Sequence, residues 1–269
     1  MCIRWWAERK DDVLNLEMVG EGATTKVYRD GNKAIKLYAH GSMSEVENEA
    51  KLQAFAVKAG LPVPAVFGVR QLDDDMTALD MAYIPGAPLL HGRMDRDKRY
   101  EAIRTLVKLQ SMVHAIETDQ LPKQADRLAW KISQNQDIGL PIKDALLFCL
   151  RSLDRGCHRL CHGDFHPLNI LHDGDKHWVI DWVDATSGDP MADACRTFLI
   201  FKQYITRSAG IFLRLFCEES GASQADILAW LPVIAAARLS EPMDDKARTM
   251  AWTMIDAWMS SGYMPPEPV

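Results

Sequence analysis

No stretch of this chain is long and apolar enough to span a bilayer. The longest apolar run, Ile227 to Ala237, carries Pro232 and falls well short of the ~20 residues a membrane helix needs. Basic residues do not dominate either: 31 Lys and Arg face 37 Asp and Glu, a formal net charge of −6. Broad nucleic-acid binding needs a basic face to neutralise phosphates, so that class is disfavoured. The six cysteines, at positions 2, 149, 157, 161, 195 and 217, form no CxxC pair, which argues for reduced, mostly buried thiols over a metal site. The first ten residues mix charge with aromatics and lack an apolar h-region, so a secretory leader is not expected and a cytoplasmic location is. There is no internal repeat and no GxxxxGK[ST] frame, so Lys26 is not a Walker lysine. Oligomeric state leaves no mark in the sequence.

What is present is an ordinary globular balance, 48% hydrophobic and 25% charged over 269 residues, enough for one large domain or two lobes. The first third reads as strands around one helix. Leu14–Val19, Lys26–Arg29 and Lys33–Tyr38 are short apolar or alternating runs, with Asp30-Gly31-Asn32 as a tight turn between the second and third. Ser42 to Ala59 has helical spacing and is closed by Gly60, Pro62 and Pro64. Ala65–Leu72 and Thr77–Tyr83 follow as strands around the acidic turn Asp73-Asp74-Asp75. The punctuation Ile84-Pro85-Gly86-Ala87-Pro88 sets a boundary, giving residues 1–84 and 85–269.

Beyond the boundary the pattern is mainly helical. Arg96–Ile116 and Ile142–Asp154 are the clearest helices; short strands return at Arg159–Cys161, Ile170–His172 and His177–Ile180, with Asp173-Gly174-Asp175 turning between the last two. Helices then run to about residue 260, and Pro265-Pro266-Glu267-Pro268 reads as a frayed tail. Trp230, Trp252 and Trp258 recur at helical intervals with Leu, Ile and Met, which is core spacing. His114 reads as a helix-packing or capping residue, and His158, His172 and His177 lack metal-ligand spacing.

Chemistry concentrates in Cys161-His162-Gly163-Asp164-Phe165-His166-Pro167-Leu168-Asn169-Ile170-Leu171, followed by Val179-Ile180-Asp181-Trp182. Polar residues leave a strand, cross a Gly- and Pro-containing loop and re-enter an apolar strand, and an aspartate ends another strand one hairpin later. That layout lets Asp164, Asn169 and Asp181 meet at one mouth of a small sheet. Phosphoryl transfer asks for a carboxylate to accept the substrate hydroxyl proton and for oxygen ligands to hold Mg²⁺ on the phosphates. Asp164 suits the first task, and Asn169 and Asp181 the second. His166 reads as packing or substrate contact, since Asp164 already fills the base position.

His162-Gly163-Asp164-x-x-x-x-Asn169 with Ile180-Asp181-Trp182 resembles the catalytic and metal motifs of the aminoglycoside phosphotransferase and choline kinase-like family, relatives of the protein kinases. The resemblance implies an α+β, bilobal, protein kinase-like fold. Its β-rich N-lobe would hold a five-stranded antiparallel sheet and one helix, its C-lobe would be mainly helical, and Mg-ATP would lie between them. It implies Asp164 as catalytic base and Asn169 and Asp181 as Mg²⁺ ligands. Gly188-Asp189-Pro190 and Asp193 also fit the family, with a structural role for both aspartates.

The upstream half agrees with it. Gly20-Glu21-Gly22-Ala23-Thr24-Thr25 lies between two strand candidates, where Gly20 and Gly22 would cover the phosphates; Thr25 stands where protein kinases have a third glycine. Ala34-Ile35-Lys36-Leu37 resembles the β3 motif, with Lys36 on the α and β phosphates. The next helix offers Glu45, Glu47 and Glu49 as partners, and Glu49 best matches the family's helix glutamate. A lysine in a largely apolar strand needs such a partner, because an unpaired buried charge is expensive. The resemblance further suggests that backbone groups of Ala82 and Ile84 bind adenine, with Met81 nearby.

The acceptor is the open part. It would be chosen by residues of about 120–160 and 195–262, where Asp184, Glu241, Asp244 and Asp245 offer either a pocket for an amine or an ordinary acidic surface. A cationic acceptor is compatible with the net charge. The expected activity is transfer of the ATP γ-phosphoryl group to a hydroxyl of a small molecule. Alternatives are a housekeeping kinase of choline, an amino sugar or a glycated amine, and a nucleotide-binding pseudokinase module.

Overall fold

A computed structural model describes residues 10–22, 25–39, 42–73 and 75–261. The amino-terminal reading, the loop residues Ala23 and Thr24, the turn residue Asp74 and the Pro-rich tail lie outside these described residues. In chain order the elements begin with α1 (Lys10–Leu14), β1 (Glu17–Glu21), β2 (Thr25–Asp30), β3 (Lys33–Ala39), α2 (Met43–Lys58), β4 (Val66–Asp73), β5 (Met76–Ala82) and β6 (Ala87–Pro88). Next come α3 (Arg96–His114), α4 (Gln124–Gln134), α5 (Leu140–Leu153), β7 (Arg159–Cys161), a 3₁₀ turn (Pro167–Asn169), β8 (Ile170–His172), β9 (His177–Val179) and β10 (Thr186–Gly188). Five helices finish the chain: α6 (Pro190–Tyr204), α7 (Thr206–Ser220), α8 (Gln224–Leu228), α9 (Leu231–Arg238) and α10 (Asp245–Ser260). No described helix is long and apolar enough to cross a membrane.

Two compact units emerge. The first comprises residues 1–88 and 169–183, the second residues 89–168 and 184–269. Segment 169–183 counts with the first unit for a local reason: β8 pairs with β6 and β9, and the Val179 N–H donates to the Pro62 carbonyl at 2.8 Å.

The first unit is built on a five-stranded antiparallel sheet in the order β1-β2-β3-β5-β4. β2 and β3 close over the two-residue turn Gly31-Asn32 in full register from Thr25↔Tyr38 to Asp30↔Lys33. Strand parity decides what each face carries. On one face Tyr28, Ile35, Leu37 and Ala78 pack with Val13 of α1. On the other Ala34, Leu79 and Met81 pack with Val46 and Ala50 of α2. Lys36 shares the parity of Ala34 and therefore faces α2. The helix starts on a capping box in which Ser42 and Glu45 satisfy each other's backbone N–H, and its inward stripe is Val46, Glu49, Ala50, Gln53 and Ala56. The sequence places the first strand at Leu14–Val19; in the fold Leu14 ends α1 and the strand starts at Glu17. Asp11 and Asp12 in the first turn of α1 favour that helix through its dipole.

The second unit is mostly helical, with β7 and β10 as a small antiparallel pair. The sequence reading of a single small sheet is therefore corrected: β7 pairs with β10, and β8 and β9 join β6 instead. α4 was not expected. Its signal was present nonetheless: Ala125, Leu128, Ala129 and Ile132 recur at i, i+3, i+4 and i+7, the spacing of an amphipathic helix. α6 is buried along most of its length, and Phe201 stacks on Phe212 with ring centroids 5.4 Å apart. It begins at Asp189, whose side chain accepts the Met191 N–H, followed by Pro190 in the first turn.

Candidate active site

In the first unit the lysine of β3 is held by two carboxylates. Lys36 Nζ donates to Glu49 Oε1 at 2.7 Å and to Asp181 Oδ1 at 2.9 Å. Of the three candidate glutamates, Glu45 is spent on the helix cap and Glu47 is exposed, so only Glu49 turns inward. Glu49 also accepts the Tyr38 hydroxyl. Burial alone would lower the Lys36 pKa, but Asp181 and Glu49 outweigh it and hold the ammonium well above the ordinary lysine range. The lysine is thus charged at any working pH.

Asp181 carries a second peculiarity. Its φ of 66° makes it the sole non-glycine residue with a left-handed backbone among the described residues. Such a conformation costs on the order of 1–3 kcal/mol and persists only where the surroundings impose it. Two neighbours impose it here. Trp182 is fully buried and donates its indole N–H to the Val179 carbonyl at 3.1 Å. Ile180 donates its N–H to the carbonyl of Asn169 at 3.0 Å, tying the chain at Asp181 to the turn that carries the other candidate metal ligand. Asn169, itself 8% exposed, sits at the end of the 3₁₀ turn.

The remaining nucleotide candidates of this unit lie along the sheet. Gly20 sits opposite Val27 beside a bulge in the β1–β2 ladder, and Gly22 donates its N–H to the Thr25 carbonyl at 2.8 Å. Met81 is buried, and its sulfur accepts from Gln53 at 3.6 Å. The Ala82 N–H is already given to the Ala65 carbonyl at 2.8 Å, so recognition through Ala82 would fall to its carbonyl, with the N–H of Ile84 beside it. Gly86 follows where a side chain does not fit, because a Cβ would lie 2.6 Å from the His172 carbonyl oxygen.

In the second unit Asp164 lies in the loop after β7. Arg196 Nη2 donates to Asp164 Oδ1 at 2.9 Å, and His166 Nε2 approaches Oδ2 at 3.1 Å. His166 Nδ1 accepts the Leu168 N–H at 3.3 Å, which leaves Nε2 as the protonated nitrogen facing Asp164. Burial raises the Asp164 pKa, but Arg196 and then His166 outweigh it, so the carboxyl lies far below its ordinary range. The loop backbone is fixed from behind. Gly163 has φ +83°, and a Cβ there would collide with the Asp184 carbonyl, so this position requires glycine. Its N–H is accepted by Asp193 Oδ1 at 2.8 Å, while Asp193 Oδ2 takes His114 Nε2 at 2.8 Å and Gln110 Nε2 at 3.2 Å. His114 is therefore the partner of a buried carboxylate rather than a helix cap.

Four residues at this site escaped the sequence reading: Arg127, Lys131, Arg196 and Arg238. Arg196 left one signal, a charge between Ala194-Cys195 and the apolar stretch Phe198–Phe201, where an arginine survives only with a partner. The acidic candidates are engaged: Glu241 binds Lys131 at 2.7 Å, Arg196 at 2.8 Å and Arg238 at 3.1 Å, while Asp184 pairs with Arg127. Asp244 is the N-cap of α10, accepting the Ala247 N–H, and Asp245 is exposed on that helix.

A five-stranded sheet carrying a lysine–glutamate pair, followed by a mainly helical unit, defines a protein kinase-like fold. The family model of the Phosphotransferase enzyme family (APH) matches residues 16–236, and the chain belongs to that family. Among solved structures, a thermostable mutant of aminoglycoside phosphotransferase APH(4)-Ia, in ternary complex with AMP-PNP and hygromycin B, is similar at TM-score 0.68 and 18% identity, over 96% of this chain and 97% of that one. A choline/ethanolamine kinase family protein from Mesorhizobium loti is similar at TM-score 0.63 and 20% identity, over 93% and 88% of the two chains. An aminoglycoside-3'-phosphotransferase of type VIII follows at TM-score 0.59 and 22% identity, over 82% and 91%. No curated protein sequence matches the chain.

Proposed function

We propose that the chain transfers the γ-phosphoryl group of Mg-ATP to a hydroxyl of a small molecule, with Asp164 as catalytic base. The observation that carries this reading is Lys36 held between Glu49 and Asp181, a permanent cation beside a carboxylate forced into a left-handed backbone. Lys36 receives the α and β phosphates, the loop of Gly20 and Gly22 covers them, and the Ala82 carbonyl and Ile84 N–H address the adenine near Met81. AMP-PNP in the APH(4)-Ia complex supports ATP as the donor.

Asn169 and Asp181 offer an amide oxygen and a carboxylate, hard donors of the kind Mg²⁺ prefers, and would hold that ion. When bound, the ion neutralises the charge on the transferring phosphates. Asp164 orients the acceptor hydroxyl and takes its proton. The acceptor oxygen forms a bond to the γ-phosphorus, the bond from that phosphorus to the bridging oxygen breaks, and ADP leaves. Arg196 and His166 keep Asp164 ionised and fix the direction of its lone pairs.

General-base assistance is worth roughly 10²–10⁴-fold. Asp164→Asn is expected to lose turnover by about that factor, read as ADP release, while binding a fluorescent ATP analogue as the parent does. Turnover at the parental rate would remove Asp164 from the base role. A chain acting only as a nucleotide-binding module would bind the analogue and release no ADP with any acceptor.

A further inference from the structure

Beside Asp164 the second unit holds a cavity of about 40 Å³ whose lining includes Arg127, Lys131, Gly163, Asp184, Arg196 and Ile234. Its charges form one continuous network. Four cations, Arg127, Lys131, Arg196 and Arg238, meet three carboxylates, Asp164, Asp184 and Glu241. Within these pairs one positive charge is left over. Asp193, which also lines the cavity, is turned away from them and held by Gly163, Gln110 and His114, and His166 adds a polar N–H on the far side of Asp164. The excess sits in a poorly hydrated place. Arg196 is 9% exposed, and its Nε–H is buried with no hydrogen-bond partner. A buried guanidinium with an unmet donor asks for an acceptor oxygen.

The same ledger speaks against a cationic acceptor. Both carboxylates that the sequence offers to an amine within this network, Asp184 and Glu241, already carry bound cations. Bringing an ammonium in would either displace an arginine or add to an existing positive excess. A cavity of about 40 Å³ also takes one small head group rather than a ring. Arg127 and Lys131 stand one turn apart on α4 and so present their heads on one face.

We infer that the acceptor bears an acidic group, a carboxylate or a phosphate, on the same molecule as its hydroxyl, and that Arg127, Lys131 and Arg196 receive that group beside Asp164. The inference rests on the phosphotransfer reading above and names its substrate class. An anion entering the cavity neutralises the spare charge and gives the Arg196 Nε–H an acceptor. With the acid anchored there, the hydroxyl of a short molecule is carried toward the Asp164 carboxylate, which Arg196 shares.

The test uses matched three-carbon acceptors: D-glycerate, glycerol 3-phosphate, neutral glycerol and cationic serinol, with choline and kanamycin as larger cations. ADP release is measured with each, a fluorescent ATP analogue reports nucleotide binding, and thermal shift reports acceptor binding. The acid-bearing compounds are expected to exceed glycerol and serinol in kcat/KM by about tenfold or more, and to raise the melting temperature where the others do not. Glycerate against glycerol 3-phosphate then separates carboxylate from phosphate. Arg127→Gln and Lys131→Gln should each weaken the acid-bearing compounds by about tenfold, chiefly in KM, and Arg127→Glu should abolish the preference. Should those variants fail to fold, the ranking on the parent protein decides alone. Turnover ranked in favour of serinol, choline or kanamycin overturns the acidic acceptor and leaves the kinase reading intact. An unchanged preference in folded Arg127→Gln and Lys131→Gln overturns the assigned residues. Acid-specific thermal shift with neither nucleotide binding nor ADP release supports the anion site while removing the kinase reading.

Discussion

Asp193 accepts the backbone N–H of Gly163 at 2.8 Å, so a carboxylate in the first turn of α6 fixes the chain one residue before Asp164. The contact spans 30 positions of sequence and is made by a residue 2% exposed. It joins the two demands on this loop, a glycine with a left-handed backbone and a carboxylate held at a fixed angle.

Removing that carboxylate strands the Gly163 N–H and His114 and leaves the Gln110 amide with only its bond to Thr197. Asp193→Ala is expected to lose stability in chemical denaturation by roughly 1–3 kcal/mol for each buried donor left without an acceptor. Asp193→Asn keeps an acceptor oxygen for Gly163 and should lose less. In both variants kcat should fall more than the KM for ATP rises, because the loop and not the nucleotide contacts is released. A folded Asp193→Ala protein with parental kcat would show that this tether does not position Asp164.

The β3 lysine allows stability and catalysis to be separated. Lys36→Met leaves Glu49, which is 1% exposed, with only the Tyr38 hydroxyl, and should destabilise by roughly 3–5 kcal/mol. The double variant Lys36→Met/Glu49→Leu removes both charges and should regain much of that loss. Its ADP release should nevertheless stay as low as that of Lys36→Met. Recovery of activity together with stability would mean that Lys36 serves only the fold.

How much of this was readable follows from the range of each interaction. Short-range signals sufficed for the β2–β3 hairpin at Asp30-Gly31-Asn32 and for the helix from Ser42, where turn and cap residues act on their immediate neighbours. Lys36 and Glu49 were readable because strand parity and helix spacing each orient one of them. Long-range pairings were not. β10 is Thr-Ser-Gly, three residues without an apolar alternation, and its partner β7 lies far back in the chain. Arg196 meets Asp164 and Glu241 only through the packing of α6, and composition alone presented Glu241 as a solvated acid or a substrate ligand. Net charge says little about one pocket for the same reason: a −6 chain gathers Arg127, Lys131, Arg196 and Arg238 around Asp164, Asp184 and Glu241.

That network also sets the response to acid. Burial raises the Glu241 pKa, but Arg196, Lys131 and Arg238 outweigh it and bring the carboxyl from its ordinary 4.5 down to about 2. A group with a depressed folded pKa adds stability that is present above its unfolded value and lost as pH falls through the folded one. Glu241 therefore contributes about 3 kcal/mol near neutrality, and this is lost between about pH 4.5 and 2. Asp164, held lower still, stays ionised in the folded chain but takes up a proton in the unfolded one below its ordinary 3.8, so it adds its own loss over the lower part of that window and beyond it. Glu241→Gln should lower the melting temperature at pH 7 and flatten its decline between pH 5 and 3 relative to the parent. Parallel melting curves over that range would show that Glu241 titrates alike in the folded and unfolded chain, and would remove it from the network that holds Arg196 against Asp164.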